Sequence, residues 1–364
     1  MKSTQNNSSW LDSKKEELKN IASILESVGF SLDEQQPHIS GERYLMTKDK
    51  FVLAGKRVKD GTRVIIKASL HHDGQREIEA EKNARDLLQS LSFADKTIVF
   101  PDEIYFGKHG DVLIWITLYI PQEKVFVAHE LEEQFFLALQ AFEAQEAFHA
   151  TTFEHLQNIK DTFPVYNAGK NIRKFETFTR NIIESYPDKN LHAILSKADE
   201  FLKSEIQTIE SHSRYLVHQD FVPHNFRIQN KKIYMLDCSS VYFSNKYEGW
   251  ARFLNYMIIH NPDLEKLLVR YIIENRGEKE YLSLRLMRVL KIGELLEYYA
   301  RSFNKTMGDL HTLTEIRIQF WHKALVSLLD DKPLSGEIRD DYITKRNALR
   351  SPEEKERQRE FAVV

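Results

Sequence analysis

The sequence predicts an α+β chain in two lobes: a small antiparallel sheet carrying one helix, then a large, mainly helical lobe. Three observations predict it. Between residues 41 and 120, short β-type runs are interrupted by a single helical stretch. From Glu130 onward the apolar residues recur at helical spacing, broken clearly only by a hairpin pattern between Leu216 and Asp237. The chain is 364 residues long, more than one ordinary core accommodates.

Leu18, Ile21, Ile24 and Leu25 give the stretch Leu11 to Val28 one apolar helical face, with Gly29 as its stop. Strands are predicted at Tyr44–Met46 and Phe51–Ala54, joined by a turn at Lys48-Asp49-Lys50. The Asp60-Gly61 pair signals a hairpin leading into the β-branched run Arg63 to Ser69. Ile78, Ala84, Leu88 and Leu91 form the stripe of a helix over Arg76 to Leu91, and Glu81 lies on that stripe. Strands over Glu103–Phe106 and Val112–Ile120 complete the sheet, and Pro121 ends it. Helices are then expected after Glu130 and over Ile172–Ser185, Ala193–Ile209, Leu264–Glu274, Tyr281–Tyr299 and Leu313–Leu329. The domain reading is a helical extension over residues 1–40, a small β-rich lobe over 41–120, a helical lobe over 121–335 and a charged tail over 336–364.

Composition excludes several classes. Lys and Arg total 51 against 54 Asp and Glu, a net charge of -3, so nucleic acid is not an expected partner. The first ten residues carry no hydrophobic signal core, and the longest apolar run, Val112 to Ile120, is strand-sized, so no membrane partner is expected either. The single cysteine, Cys238, excludes an internal disulfide or a multi-cysteine zinc site and points to the cytoplasm. Oligomeric state is not legible.

The chemistry concentrates in His218-Gln219-Asp220-Phe221-Val222-Pro223-His224-Asn225, followed by Ile233-Tyr234-Met235-Leu236-Asp237. Two carboxylates and a carboxamide flank a short hairpin, Phe226–Ile228 against Ile233–Leu236, turning at Asn230-Lys231-Lys232. Such a set suits Mg²⁺ on a nucleotide and an attacking hydroxyl. Taken singly, Asp220 and Asn225 also fit an ordered turn, and Asp237 a helix cap. In the first lobe, Lys67 lies in an apolar strand and Glu81 on an apolar helix face. Each is costly there without a counter-charge, although a lysine at a strand edge can also snorkel.

The ordered set of strand lysine, helix glutamate, His-x-Asp-x4-Asn loop, hairpin and apolar strand ending in Asp resembles the aminoglycoside phosphotransferase and choline kinase family. His218 to Asn225 is similar to that family's His-Gly-Asp-Phe-x-Pro-x-Asn loop, and Met235-Leu236-Asp237 to its metal strand. The resemblance spans Arg43 to Met257 and implies a two-lobed protein-kinase-like fold. It further implies a phosphotransferase that uses ATP (GTP is not excluded) and Mg²⁺ on an alcohol group of a small hydroxylated molecule. Asp220 would meet the acceptor hydroxyl as base, Asn225 and Asp237 would hold Mg²⁺, and Lys67, fixed by Glu81, would meet the α- and β-phosphates. Thr117, Leu118, Tyr119 and Ile120 would flank the adenine, and His218 would support the loop.

Departures favour a second reading, a pseudokinase-like nucleotide- or partner-binding module. The hairpin Met46 to Phe51 has no glycine to wrap phosphates, Gln219 and His224 replace small residues, and Cys238-Ser239-Ser240 is an unusual sequel. Glu248-Gly249-Trp250-Ala251-Arg252-Phe253-Leu254 has the form of the family's next helix without its second Asp. Glu130, Glu132 and Glu133 are candidates for a polycation-binding surface, or simply an acidic helix start.

Overall fold

A computed structural model describes residues 3–34, 36, 50–90, 98–122, 124–153, 159–229, 232–352 and 355. The strand expected at Tyr44–Met46, most of the turn after it, and Asn230-Lys231 lie outside the described residues. The chain divides into two compact units, residues 1–83 with 100–121, and residues 84–99 with 122–364.

In the first unit, helix α1 (Ser3–Ser27) leads through Gly29, at φ +87°, into strand β1 (Phe30–Leu32). Strands β2 (Phe51–Arg57) and β3 (Arg63–Ser69) follow, then helix α2 (His72–Ser90). After the short strand β4 (Ile98–Val99), which belongs to the second unit, come β5 (Glu103–His109) and β6 (Val112–Leu118). The sheet of the first unit is five-stranded in the order β1-β2-β3-β6-β5, and all its neighbours are antiparallel. The alternation along each strand decides its two faces. Leu53, Val64, Ile66, Ile114 and Ile116 pack with Ile21 and Leu25 of α1, so the amphipathic stretch read as an extension covers one face of the sheet. On the opposite face Leu113 and Trp115 pack with Ile78 of α2. The edge strand β1 escaped the sequence reading because three residues carry no periodicity.

The second unit contains α3 (Leu131–Phe153), α4 (Ala168–Ser185), α5 (Lys189–Ser204) and α6 (Ile206–Ser211). Then come β7 (Tyr215–His218), β8 (Phe226–Gln229), β9 (Lys232–Met235) and β10 (Val241–Ser244). It finishes with α7 (Glu248–His260), α8 (Pro262–Arg276), α9 (Glu278–Phe303), α10 (Gly308–Leu329) and α11 (Gly336–Leu349). The single helix expected over Ala193–Ile209 is two, parted at Glu205. The expected hairpin is present as β8–β9, with Phe226 opposite Met235, and β4 joins it in parallel. Strand β10 pairs with β7 and closes a second small ribbon.

An aromatic cluster fixes this β layer to the helices. Trp250 of α7 stacks on Phe142 of α3 at 3.7 Å, and Phe221 stacks on Phe226 at 4.9 Å, all four rings buried. Gly249 is required at the start of α7, because a Cβ there would come within 2.8 Å of the Gln145 amide and 3.2 Å of the His218 carbonyl. Helix α11, read as part of a charged tail, buries Tyr342 against Phe320 with ring centroids 4.1 Å apart.

Candidate active site

The first unit brings Lys67 and Glu81 together. In β3, Lys67 stands opposite Val52 and Trp115, and its Nζ donates to both carboxylate oxygens of Glu81. The side chains are 15% and 3% exposed, and Nζ lies 5.5 Å from the centre of the Trp115 ring. Lys50, the described lysine of the glycine-free hairpin, is committed to Glu77 at 2.8 Å. Thr117 and Leu118 end β6; the Leu118 N–H donates to the Asp102 carbonyl and the Tyr119 N–H to the Arg63 carbonyl. Ile120 is buried, and the Arg63 guanidinium covers the Tyr119 ring at 4.3 Å.

The second unit brings together the residues of the loop and hairpin. Buried His218 hydrogen-bonds through Nε2 to the Leu236 carbonyl at 2.9 Å, and the Gln219 N–H donates to the Ser240 carbonyl. The Leu236 N–H donates to the Asn225 carbonyl at 2.9 Å. The loop after β7 and the segment flanking Asp237 are thus tied by two backbone hydrogen bonds and one from the His218 side chain. Asn225 donates its side-chain amide to the Asp220 carbonyl and to Asp220 Oδ2, each at 2.8 Å. With both amide hydrogens committed, the Asn225 side chain has its oxygen left as a ligating atom.

Asp237 adopts a left-handed conformation, φ 56° and ψ 59°, which is uncommon for a residue other than glycine and better tolerated by Asp and Asn. Ser239 Oγ donates to its Oδ1 at 2.5 Å and Ser240 Oγ to its Oδ2 at 3.4 Å. The unusual Cys238-Ser239-Ser240 sequel therefore supplies hydroxyls that orient the carboxylate, while Cys238 itself is buried. Among the described residues no group of three His, Cys, Asp or Glu side chains is placed to hold a metal ion. The oxygen set here is two carboxylates and a carboxamide.

Arg252, in the Glu248–Leu254 segment that lacks the family's second Asp, was not singled out from the sequence. Its Nε donates to Asp220 Oδ1 at 2.6 Å. Burial raises the Asp220 pKa, but the charges of Arg252, His218 and Lys291 and the Arg252 hydrogen bond outweigh it and hold it at about 2. Asp220 is thus an ionised hydrogen-bond acceptor at any working pH and a weak proton acceptor. Behind it, Lys291 pairs with Glu294, and Lys174 lies 3.4 Å from Glu294 Oε1. Burial raises Glu294, yet Lys291 and Lys174 hold it at about 2. Glu133, one of the acidic residues preceding or opening α3, is paired with His129 at 2.7 Å.

Along α7 from Arg252 lie Tyr256 and His260. Burial, then the charges of Arg346, His224, Arg350 and Arg252, hold His260 well below its ordinary pKa of 6.5. The folded chain keeps it neutral where the unfolded chain takes up a proton. Stability from this group is therefore complete above pH 6.5 and falls as pH drops below it. The slope reaches about 1.4 kcal/mol per pH unit for one proton. Urea unfolding of the His260→Gln variant between pH 7 and about pH 5 should be less steep in pH than the parent by that amount. Equal slopes would contradict the assignment.

The fold is similar to that of solved aminoglycoside phosphotransferases. The chain matches a thermostable mutant of aminoglycoside phosphotransferase APH(4)-Ia, solved with ADP and hygromycin B, at a TM-score of 0.60 and 13% identity. That match covers 86% of this chain and 97% of the other. The GDP complex of a mutant aminoglycoside 2'-phosphotransferase-IIIa gives a TM-score of 0.54 at 15% identity over 81% and 90% of the two chains. Amicoumacin kinase hAmiN, in complex with AMP-PNP, Ca²⁺ and Ami, gives 0.53 at 14% identity over 80% and 88%. No protein-family model matches the chain, and no curated protein matches its sequence. No helix among the described residues is long and apolar enough to cross a membrane.

Proposed function

We propose that this chain is a small-molecule kinase that transfers the γ-phosphoryl group of ATP to a hydroxyl of a small acceptor. The observation that carries this reading is the pairing of Asn225 with Asp220 on a loop whose backbone is bonded to the strand that ends in Asp237. A hard cation fits that set: the Asp237 carboxylate and the Asn225 amide oxygen are the oxygen donors Mg²⁺ takes, with water and phosphate oxygens completing its shell. When bound, Mg²⁺ would neutralise charge on the nucleotide phosphates.

The remaining roles fall to this chain's own side chains. Lys67 would meet the α- and β-phosphates and Glu81 would hold it. A buried ion pair is weak evidence for stability, because well-packed apolar residues often do as well. A charge held ready for an anion accounts for it better. The residues Thr117, Leu118, Tyr119 and Ile120 would line the adenine. Since the Leu118 and Tyr119 amides are committed within the first unit, that contact rests on carbonyl oxygens and Ile120. In the transfer, the bond between the γ-phosphorus and the β,γ-bridging oxygen breaks and a new bond forms to the acceptor oxygen. The hydroxyl proton passes by way of Asp220 to solvent, leaving ADP and a phosphate ester. With a pKa of about 2, Asp220 orients the hydroxyl and receives its proton late, which suits a loose phosphoryl-transfer transition state. We assign the chain to the cytoplasm, where its single cysteine, Cys238, stays reduced.

The second reading, a nucleotide-binding module without transfer, draws support from Arg252, which covers one oxygen of Asp220. Thermal-shift titrations with ATP and GTP, each with and without Mg²⁺, test the first reading. A shift that grows with Mg²⁺, together with ADP release in the presence of an acceptor, is expected. A nucleotide shift indifferent to Mg²⁺, with no ADP formed, would favour the module. No shift with any nucleotide rejects the kinase reading and leaves a partner-binding module.

A further inference from the structure

The fold's solved relatives include kinases in complex with hygromycin B and kanamycin. The groups around Asp220 in this chain have the opposite electrostatic character to one that would welcome a polycation. On the start of α7, a segment without the family's second Asp, Arg252 donates to Asp220. The carboxylate behind it, Glu294, is already matched by Lys291 and Lys174. Lys174 also lies among the rings of Tyr166, Phe178 and Tyr242, 5.6, 5.6 and 5.7 Å from their centres. Aromatic faces that would stabilise a ligand's ammonium are thus occupied by the chain's own.

Moving along α7 from Arg252, the face carries groups that can donate hydrogen bonds. Arg252, Tyr256 and His260 follow one another at intervals of four, on one helical face. The His224 ring, one residue before Asn225, meets Tyr256 edge-on at 5.5 Å, and Tyr256 lies 4.0 Å from His260. Arg346 of α11 is 3% exposed, and its Nε donates to Asn347 Oδ1 at 3.3 Å. Arg346 is a buried guanidinium that lies 5.7 Å from the centre of the Tyr342 ring and makes no ion pair among the described residues. Leaving such a charge unmatched is costly, and an anion is its natural complement.

We propose, resting on the kinase reading above, that the acceptor is an anion: a hydroxylated small molecule whose carboxylate or phosphate group is held by Arg252, His260 and Arg346 while its hydroxyl meets Asp220. Arg252 then bridges two roles, fixing Asp220 through Nε while its other nitrogens face the acceptor. His224 and Tyr256 line the same face.

Two measurements test this. First, protein saturated with Mg²⁺ and AMP-PNP is titrated with glycerate, glycerol 1-phosphate, glycerol and kanamycin, following binding by calorimetry and the His260 imidazole by NMR. One of the two anions should bind and move the His260 resonance, and which one does distinguishes carboxylate from phosphate. Arg346→Gln should weaken that binding by about tenfold or more, and Arg346→Lys should restore part of it. Second, ADP formation is compared across matched acceptors: sugar phosphates and hydroxy acids against the corresponding free sugars, polyols and amino sugars. Turnover favouring the anionic member of a pair by about a hundredfold is expected. Turnover confined to cationic or neutral acceptors, or anion binding unchanged in a folded Arg346→Gln variant, overturns the inference while leaving the kinase reading intact. Anion binding that depends on Arg346, with no turnover on any acceptor, supports the site and rejects the kinase reading instead. Neither anion binding nor anionic turnover rejects the inference outright.

Discussion

Asp220→Asn should lower phosphoryl transfer by on the order of a hundredfold or more while nucleotide binding in the presence of Mg²⁺ persists. The choice of asparagine follows from the geometry. Oδ1 of Asp220 accepts from Arg252 at 2.6 Å and Oδ2 accepts from Asn225 at 2.8 Å. Alanine would remove both contacts and leave Arg252 without its carboxylate, a loss of stability that would obscure the catalytic effect. Asparagine keeps one acceptor oxygen and the shape of the side chain. It loses one charge-assisted hydrogen bond, about 1–3 kcal/mol, so the variant should still fold. The catalytic loss comes from elsewhere: a neutral amide cannot receive the hydroxyl proton, and its NH₂ presents a donor where an acceptor is needed. Steady-state ADP release with saturating acceptor gives the rate, and urea unfolding gives the stability. A folded Asp220→Asn variant within about threefold of the parent rate would sink the assignment of Asp220 to the reacting hydroxyl.

Why Asp220 could be read from the sequence and Arg252 could not is a matter of where each partner lies. The loop and hairpin are local. Asp220, Asn225 and Asp237 fall within eighteen positions, and the β8–β9 pairing that arranges them joins neighbours in sequence. Lys67 and Glu81 were legible for another reason: each is a charge within an apolar pattern, which is costly unless answered, and the two answer each other. Arg252 is also a charge on a largely apolar helix, but its partner lies 32 positions earlier, across a hairpin, and periodicity carries no information about that distance. The buried face of helix α11, a segment read as a solvated helix or tail, was hidden for a related reason. Charges of both signs along Gly336–Leu349 look solvated in one dimension, and only the packing against α10 reveals that Tyr342 and Arg346 face inward. The acidic cluster Glu130, Glu132 and Glu133 was legible as a helix start, and it lies at one, where negative charge is favourable.

Asp237→Asn should raise the Mg²⁺ concentration needed for a half-maximal nucleotide thermal shift by at least about tenfold, and lower turnover by on the order of a hundredfold to a thousandfold. The backbone makes this a clean test of charge. Asp237 sits at φ 56° and ψ 59°, and asparagine tolerates that region as well as aspartate does, whereas alanine would add strain. The two hydroxyl contacts can largely be retained: Ser239 and Ser240 rotate, one donating to the amide oxygen and the other accepting from its NH₂. What disappears is the negative charge on a hard oxygen ligand, the property that the Mg²⁺ assignment requires and a merely structural Asp237 does not. If the residue only capped the 3-10 turn Cys238–Ser240, the variant would keep the Mg²⁺ dependence of nucleotide binding and lose, at most, about 1 kcal/mol of stability. An unchanged Mg²⁺ midpoint would therefore return Asp237 to a structural role. A midpoint displaced tenfold or more in a variant of parental stability leaves the metal as the explanation.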